Sequence, residues 1–83
     1  MKTERKTASE KLLVDFLWDE RVSTSTWAAD DGVTLSGADT AAEHSYVFVS
    51  SGTLGTTYQL TNTVTLSNNE VLQRSILVQV VSK

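Results

Sequence analysis

His44 is the one histidine of the chain, with Glu43 beside it, Asp39 a short step upstream, and Ser45, Ser50 and Ser51 downstream. These are the residue types of a hydroxyl–imidazole–carboxylate relay, in which the histidine takes the serine proton and the acid holds the ring. A relay is a geometric object, however, and serine is abundant enough here to supply such a set by composition alone. No catalytic residue is assigned. Asp30, Asp31 and Asp39 offer hard oxygen ligands of the kind calcium takes, but they lack the alternate-position spacing of a dedicated calcium loop and read as solvated turn acids. With one histidine and no cysteine there is no zinc set. Gly52 and Gly55 are not followed by the Gly-Lys-Ser/Thr step and helix of a phosphate loop. Neither a metal nor a cofactor is expected.

The aromatic residues say more. Trp27 reads as core, whereas Trp18, followed by Asp19, Glu20 and Arg21, reads as partly exposed and able to stack on a sugar or a protein partner. Tyr58 stands just after a glycine turn and two residues before Leu60, the placement of a tyrosine corner, where the hydroxyl satisfies a loop backbone and the ring seals the core. Asn62 and Arg74 are polar residues on otherwise apolar faces. The first needs its amide fully paired if buried, and the second must reach a rim or a carboxylate.

These groups are positioned by strands. Leu12, Val14, Phe16 and Trp18 alternate with Leu13, Asp15, Leu17 and Asp19, and Val22–Ala28 follows after a polar turn. Val22 and Trp27 have opposite parity, so a bulge is needed if both face inward. Asp31-Gly32 marks a turn before a short edge strand Val33–Ser36, and Gly37–Ser45 shows no period and reads as a loop. Tyr46–Ser50 is compact, with Tyr46, Phe48 and Ser50 on one side and Val47 and Val49 on the other. The cleanest alternation is Tyr58, Leu60, Asn62, Val64 and Leu66 against Thr57, Gln59, Thr61, Thr63 and Thr65, and Asn68-Asn69 then turns the chain into Val71–Val81. Six or seven short strands with turns between them predict an all-β antiparallel β-sandwich, with a small β-barrel as the alternative.

Eighty-three residues, without cysteine or proline, make one small domain whose modest core invites support from an oligomer or partner. The net charge of -3 is unevenly spread. Lys2, Arg5, Lys6 and Lys11 dominate residues 1–11, read as a flexible basic arm (1–10) ahead of the folded domain (11–83), while the remainder is acidic. An acidic body does not attract a phosphate backbone, so no nucleic-acid partner is expected. No apolar run approaches the roughly 20 residues that cross a bilayer, and neither a membrane partner nor a secretory signal is expected.

Residues 52–66, with Gly55-Thr56-Thr57-Tyr58 and Thr61-Asn62 through Thr65, followed by Arg74-Ser75-Ile76, resemble the C-terminal half of small tailed-bacteriophage structural proteins of the fiber-tail adaptor family. Val14-Asp15-Phe16-Leu17-Trp18 and Ser23–Trp27 resemble that family's Asp-aromatic strand and its Ser/Thr-rich strand ending in Trp, so the likeness spans residues 12–81. Val71-Leu72-Gln73 replaces the usual acidic-basic pair, and Ala28-Ala29 stands where many members have proline. The resemblance implies a single immunoglobulin-like sandwich and a noncatalytic virion component, assembled in the bacterial host cytoplasm. It further implies a place in the tail or neck region, contacts with tail, neck or fiber proteins, and repetition as a homo-oligomer. A capsid decoration protein and a surface adhesion or glycan-binding module are the alternatives. The residues read as structural core are Phe16, Trp27, Phe48, Tyr58, Leu60, Val64, Ile76 and Val78. Those read as partner-binding are Lys2, Arg5, Lys6, Trp18, Thr61, Thr63, Thr65 and Gln79.

Overall fold

Period-two alternation of apolar and hydroxylated residues resolves into seven strands: β1 (Lys2–Lys6), β2 (Leu12–Leu17), β3 (Val22–Ala29), β4 (Val33–Ala41), β5 (His44–Ser51), β6 (Thr57–Leu66) and β7 (Val71–Val80). The structure, a computed structural model, describes residues 2–82; Met1 and Lys83, which fall in the expected arm and domain, lie outside the described residues. Four strands form one sheet in the order β1-β7-β6-β3, and three form the other in the order β2-β5-β4. Neither sheet closes on itself, so the molecule is a sandwich and not a barrel. The second strand pairs with the fifth and the third with the sixth, the connectivity of the immunoglobulin fold. The first strand lies beside the seventh.

That first strand corrects the sequence reading. Lys2–Lys6 is not an arm apart from the body but pairs with β7, and the pairing is parallel in an otherwise antiparallel molecule. Lys-Thr-Glu-Arg-Lys has no apolar period to betray a strand; backbone hydrogen bonds to β7 and the burial of one side chain hold it. Lys6 is only 2% exposed, its ammonium donating to the carbonyls of Thr7 (2.7 Å) and Ser51 (2.6 Å).

The loop expected over Gly37–Ser45 is also strand. β4 continues to Ala41 through a register shift between Ser36 and Asp39, where Gly37 takes a φ of 61°, and the hairpin closes on Ala42 and Glu43. A bulge leaves one residue unpaired and hides the alternation that would have marked the strand. The bulge anticipated in the third strand is present, between Val22 and Thr24, and it allows both Val22 and Trp27 to turn toward the core.

The core is the interleaved inner faces of both sheets. Val14, Phe16, Val47 and Val49 come from the three-stranded sheet; Leu60, Val64, Leu66, Ile76, Val78 and Val80 come from the four-stranded one, each at most 8% exposed. Each such aliphatic side chain contributes about 1.5–3 kcal/mol on burial. Phe48 is the exception among the expected core residues. It shares a strand with the buried Val47 and Val49, so its opposite parity puts it on the outer face, half-buried. Trp27 is half-buried against the core edge, stacked on Phe16 with ring centroids 5.6 Å apart.

A polar network crosses this core. The Trp18 indole N–H donates to Ser45 Oγ (2.8 Å), which donates to Asn62 Oδ1, and Asn62 Nδ2 donates to Ser25 Oγ (2.8 Å) and Thr26 O (2.9 Å). Asn62 thus places both amide protons and its carbonyl, satisfying the demand that its burial makes. The network joins four segments of chain from both sheets, with Asn62 itself bonded to β5 and β3.

Candidate docking faces

With the inner faces consumed by the core, any chemistry must be done on the two outer faces and at the sheet edges. The outer face of the three-stranded sheet follows from the pairing. Leu13 lies opposite Phe48, Asp15 opposite Tyr46 and Leu17 opposite His44, while on the other flank Ser36 pairs with Phe48, Asp39 with Tyr46 and Ala41 with His44. Cross-strand partners share a face, so these residues form one surface. Leu13 is 51% and Leu17 59% exposed, and Tyr46 and Phe48 are half-buried beside them. Lys11 sits 5.0 Å above the Phe48 ring, and the backbone of Gly37 lies against the same ring so closely that an added Cβ would come within 3.0 Å. Exposed leucines beside aromatic rings, bordered by charge, are the composition of an interface core.

His44 belongs to this surface and not to a relay. Its Nδ1 lies 3.2 Å from Asp15 Oδ1, an exposed pair, and neither Asp39 nor Glu43 is the acid beside it. Ser45 points the opposite way, fully buried and committed to Trp18 and Asn62. Among the described residues no three acidic, histidine or cysteine groups converge on a metal position. Asp30 and Asp39 act locally, accepting the backbone N–H of Gln59 (3.0 Å) and Thr40 (2.8 Å).

The outer face of the four-stranded sheet is different in kind. Thr61, Thr63, Thr65 and Gln79 are half-buried, and the hydroxyls engage one another. Thr61 Oγ1 lies 3.0 Å from Ser75 Oγ, Gln73 Nε2 donates to Thr63 Oγ1 (3.2 Å), and Thr26 Oγ1 donates to Thr63 O (3.2 Å). Of the basic residues singled out, Lys2 and Arg5 are exposed on β1, whereas Lys6 is buried and cannot meet a partner.

Trp18 is also withdrawn from the surface, at 4% exposed, because it continues the inward parity of Val14 and Phe16 beyond the end of β2. The Arg74 guanidinium covers it, 4.3 Å from the ring centroid, and donates to Leu17 O (2.9 Å), tying β7 across the end of the sandwich to β2. At the opposite end the Tyr58 hydroxyl accepts the N–H of Thr53 (2.9 Å), closing the corner before β6. Hydrogen bonding from Thr53, its side chain foremost and then its backbone, holds the Tyr58 hydroxyl below its ordinary pKa of 10.0. A Cβ on Gly32 would meet the Tyr58 ring at 2.8 Å, so that glycine, at a φ of 117°, is required by the corner.

The sequence reading missed Leu13, Leu17, Tyr46 and Phe48 as a surface. The signal was present in residues 12–18, where both parities are apolar, which leaves a second apolar side after the core has taken the first. Among curated proteins none matches the chain. The family described as podophage GP4 fiber-tail adaptor protein gp77 matches residues 6–79.

Proposed function

Because the chain belongs to the podophage GP4 fiber-tail adaptor family, it is a structural phage protein of the tail, and we propose that it is a noncatalytic connector that seats a neighbouring tail or fiber protein on the outer face of its three-stranded sheet. The observation that carries this reading is the exposure of Leu13 and Leu17 together beside Tyr46 and Phe48 on one sheet face. A partner covering both leucines gains about 1.5–3 kcal/mol from each, and Asp15, Asp39 and His44 at the margin set orientation more than affinity. Many copies arranged symmetrically around a tail multiply modest contacts into a firm joint. Assembly takes place in the host cytoplasm, before the particle leaves the cell.

The test is binding of the purified protein to the tail and fiber proteins of its phage. Leu13→Asp with Leu17→Asp is expected to weaken that binding by about a hundredfold or more while leaving the far-ultraviolet spectrum and melting temperature in place, since both side chains are exposed already. Unchanged binding by the double variant would refute the assignment of this face.

A further inference from the structure

From Val22 to Gln73 the chain contains no lysine or arginine, while Asp30, Asp31, Asp39, Glu43 and Glu70 all lie there. The fold turns this into geometry. β1 and β3 are the two free edges of the four-stranded sheet, so the basic Lys2 and Arg5 occupy one edge and the base-free segment the other.

The register makes the relation specific. Lys2 is level with Ile76, Ile76 with Leu60, and Leu60 with Ala29, so β1 stands across the sheet from the end of β3, where Asp30 and Asp31 follow. β1 and β3 both run parallel to β7. A copy displaced sideways without rotation therefore presents its β1 beside the first copy's Ala29-Asp30-Asp31. Arg5 is level with Gln79 on the outer face, and a shallow groove of about 290 Å³ lined by Ala28, Ala29, Asp30, Gln59 and Thr61 opens at that end of the sheet.

We propose that copies of this chain join head to tail, the β1 edge of one against the β3 edge of the next, with Lys2 and Arg5 facing Asp30 and Asp31. This rests on the reading of the protein as a repeated connector and names the surfaces that repeat. The charges also select among pairings. β1 against β1 sets cation on cation, whereas β1 against the Asp30-Asp31 end of β3 sets cation on acid, so the heterologous contact is favoured over a pairing of two β1 edges. A lysine on an edge strand also serves to block unwanted sheet extension. Here the block acts against every edge except an acidic one. Lys2 pairs with Glu4 on its own strand at 3.0 Å, an exposed contact weak enough to be exchanged.

Sedimentation of the full chain at low and high salt, with two charge-reversed variants, decides the matter. Lys2→Glu/Arg5→Glu and Asp31→Lys, each alone, are expected to self-associate about tenfold or more weakly than the wild type. Their equimolar mixture should recover hetero-association at low salt, and high salt should weaken assembly of the wild-type chain. Wild-type assembly that ignores salt and both reversals overturns the edge pairing while leaving repetition of copies intact. A wild-type chain that stays monomeric at every concentration and salt overturns both. Salt dependence of the wild type reads out the proposal even where a variant folds poorly.

Discussion

The two outer faces of this sandwich are built from neighbouring strands of one small chain, yet they solve opposite problems. On the four-stranded sheet threonine, serine and glutamine side chains bond across strands, Thr61 to Ser75 and Gln73 to Thr63 through their side chains and Thr26 to the Thr63 carbonyl. Side chains already bonded within the sheet gain little from a partner. On the three-stranded sheet Leu13 and Leu17 remain more than half exposed beside two aromatic rings. The contrast teaches that an abundance of polar groups is a poor guide to where a β-protein binds; unspent apolar area is the better one.

Both faces depend on the buried network that locks the sheets in register, and its loss gives the largest expected effect. Asn62→Ala leaves the buried Ser45 hydroxyl without its acceptor and Ser25 Oγ and Thr26 O without their donor, a cost of about 2–4 kcal/mol in chemical denaturation. If the variant unfolds like the wild type, the faces are held apart by apolar packing alone, and the network carries no part of the contrast.

A smaller effect separates the hairpins beneath the two faces. The three-stranded sheet turns on Ala42 at a φ of 53°, the four-stranded sheet on Asn69 at a φ of 70°. Alanine is strained there and asparagine tolerates it. Ala42→Gly should therefore raise stability by about 0.5–1 kcal/mol, net of the entropy glycine adds to the unfolded chain, while Asn69→Gly changes it by a few tenths at most. Thermal melts giving equal shifts for the two variants would erase the difference between the turns.

The smallest effect concerns the corner at the end of the sandwich. Tyr58 should ionise below 10.0 in an ultraviolet titration, and Tyr58→Phe should remove that transition. Because folding lowers this pKa, ionised Tyr58 adds stability only at alkaline pH. The contribution is complete above the unfolded value, is lost as pH falls through the folded one, and is absent at neutrality. A Tyr58 transition at or above 10.0 would contradict this lowering.

Much of the architecture was legible in the residues. The long alternation from Tyr58 to Leu66 assigns one parity to the core because ten residues leave no other way to hide five large side chains. The opposite parities of Val22 and Trp27 demanded a bulge, and Asn68-Asn69 demanded a turn. What stayed hidden had physical causes. β1 is held by ladder hydrogen bonds and by Lys6 reaching two carbonyls, neither of which leaves an apolar period. β4 was masked by the bulge at Gly37. Phe48 and Trp18 were misjudged because bulk and neighbouring charge were weighed above parity, and on a strand parity decides. The docking face was the least legible, since it exists only once β2, β4 and β5 stand side by side.

Hydroxyl-radical footprinting of the protein free and assembled with its tail proteins tests the central claim most directly. Oxidation of Leu13, Leu17, Tyr46 and Phe48 should fall on assembly, with Thr63, Thr65 and Gln73 changing little. Protection of the threonine and glutamine face, with Leu13 and Leu17 still open to the radical, would contradict it.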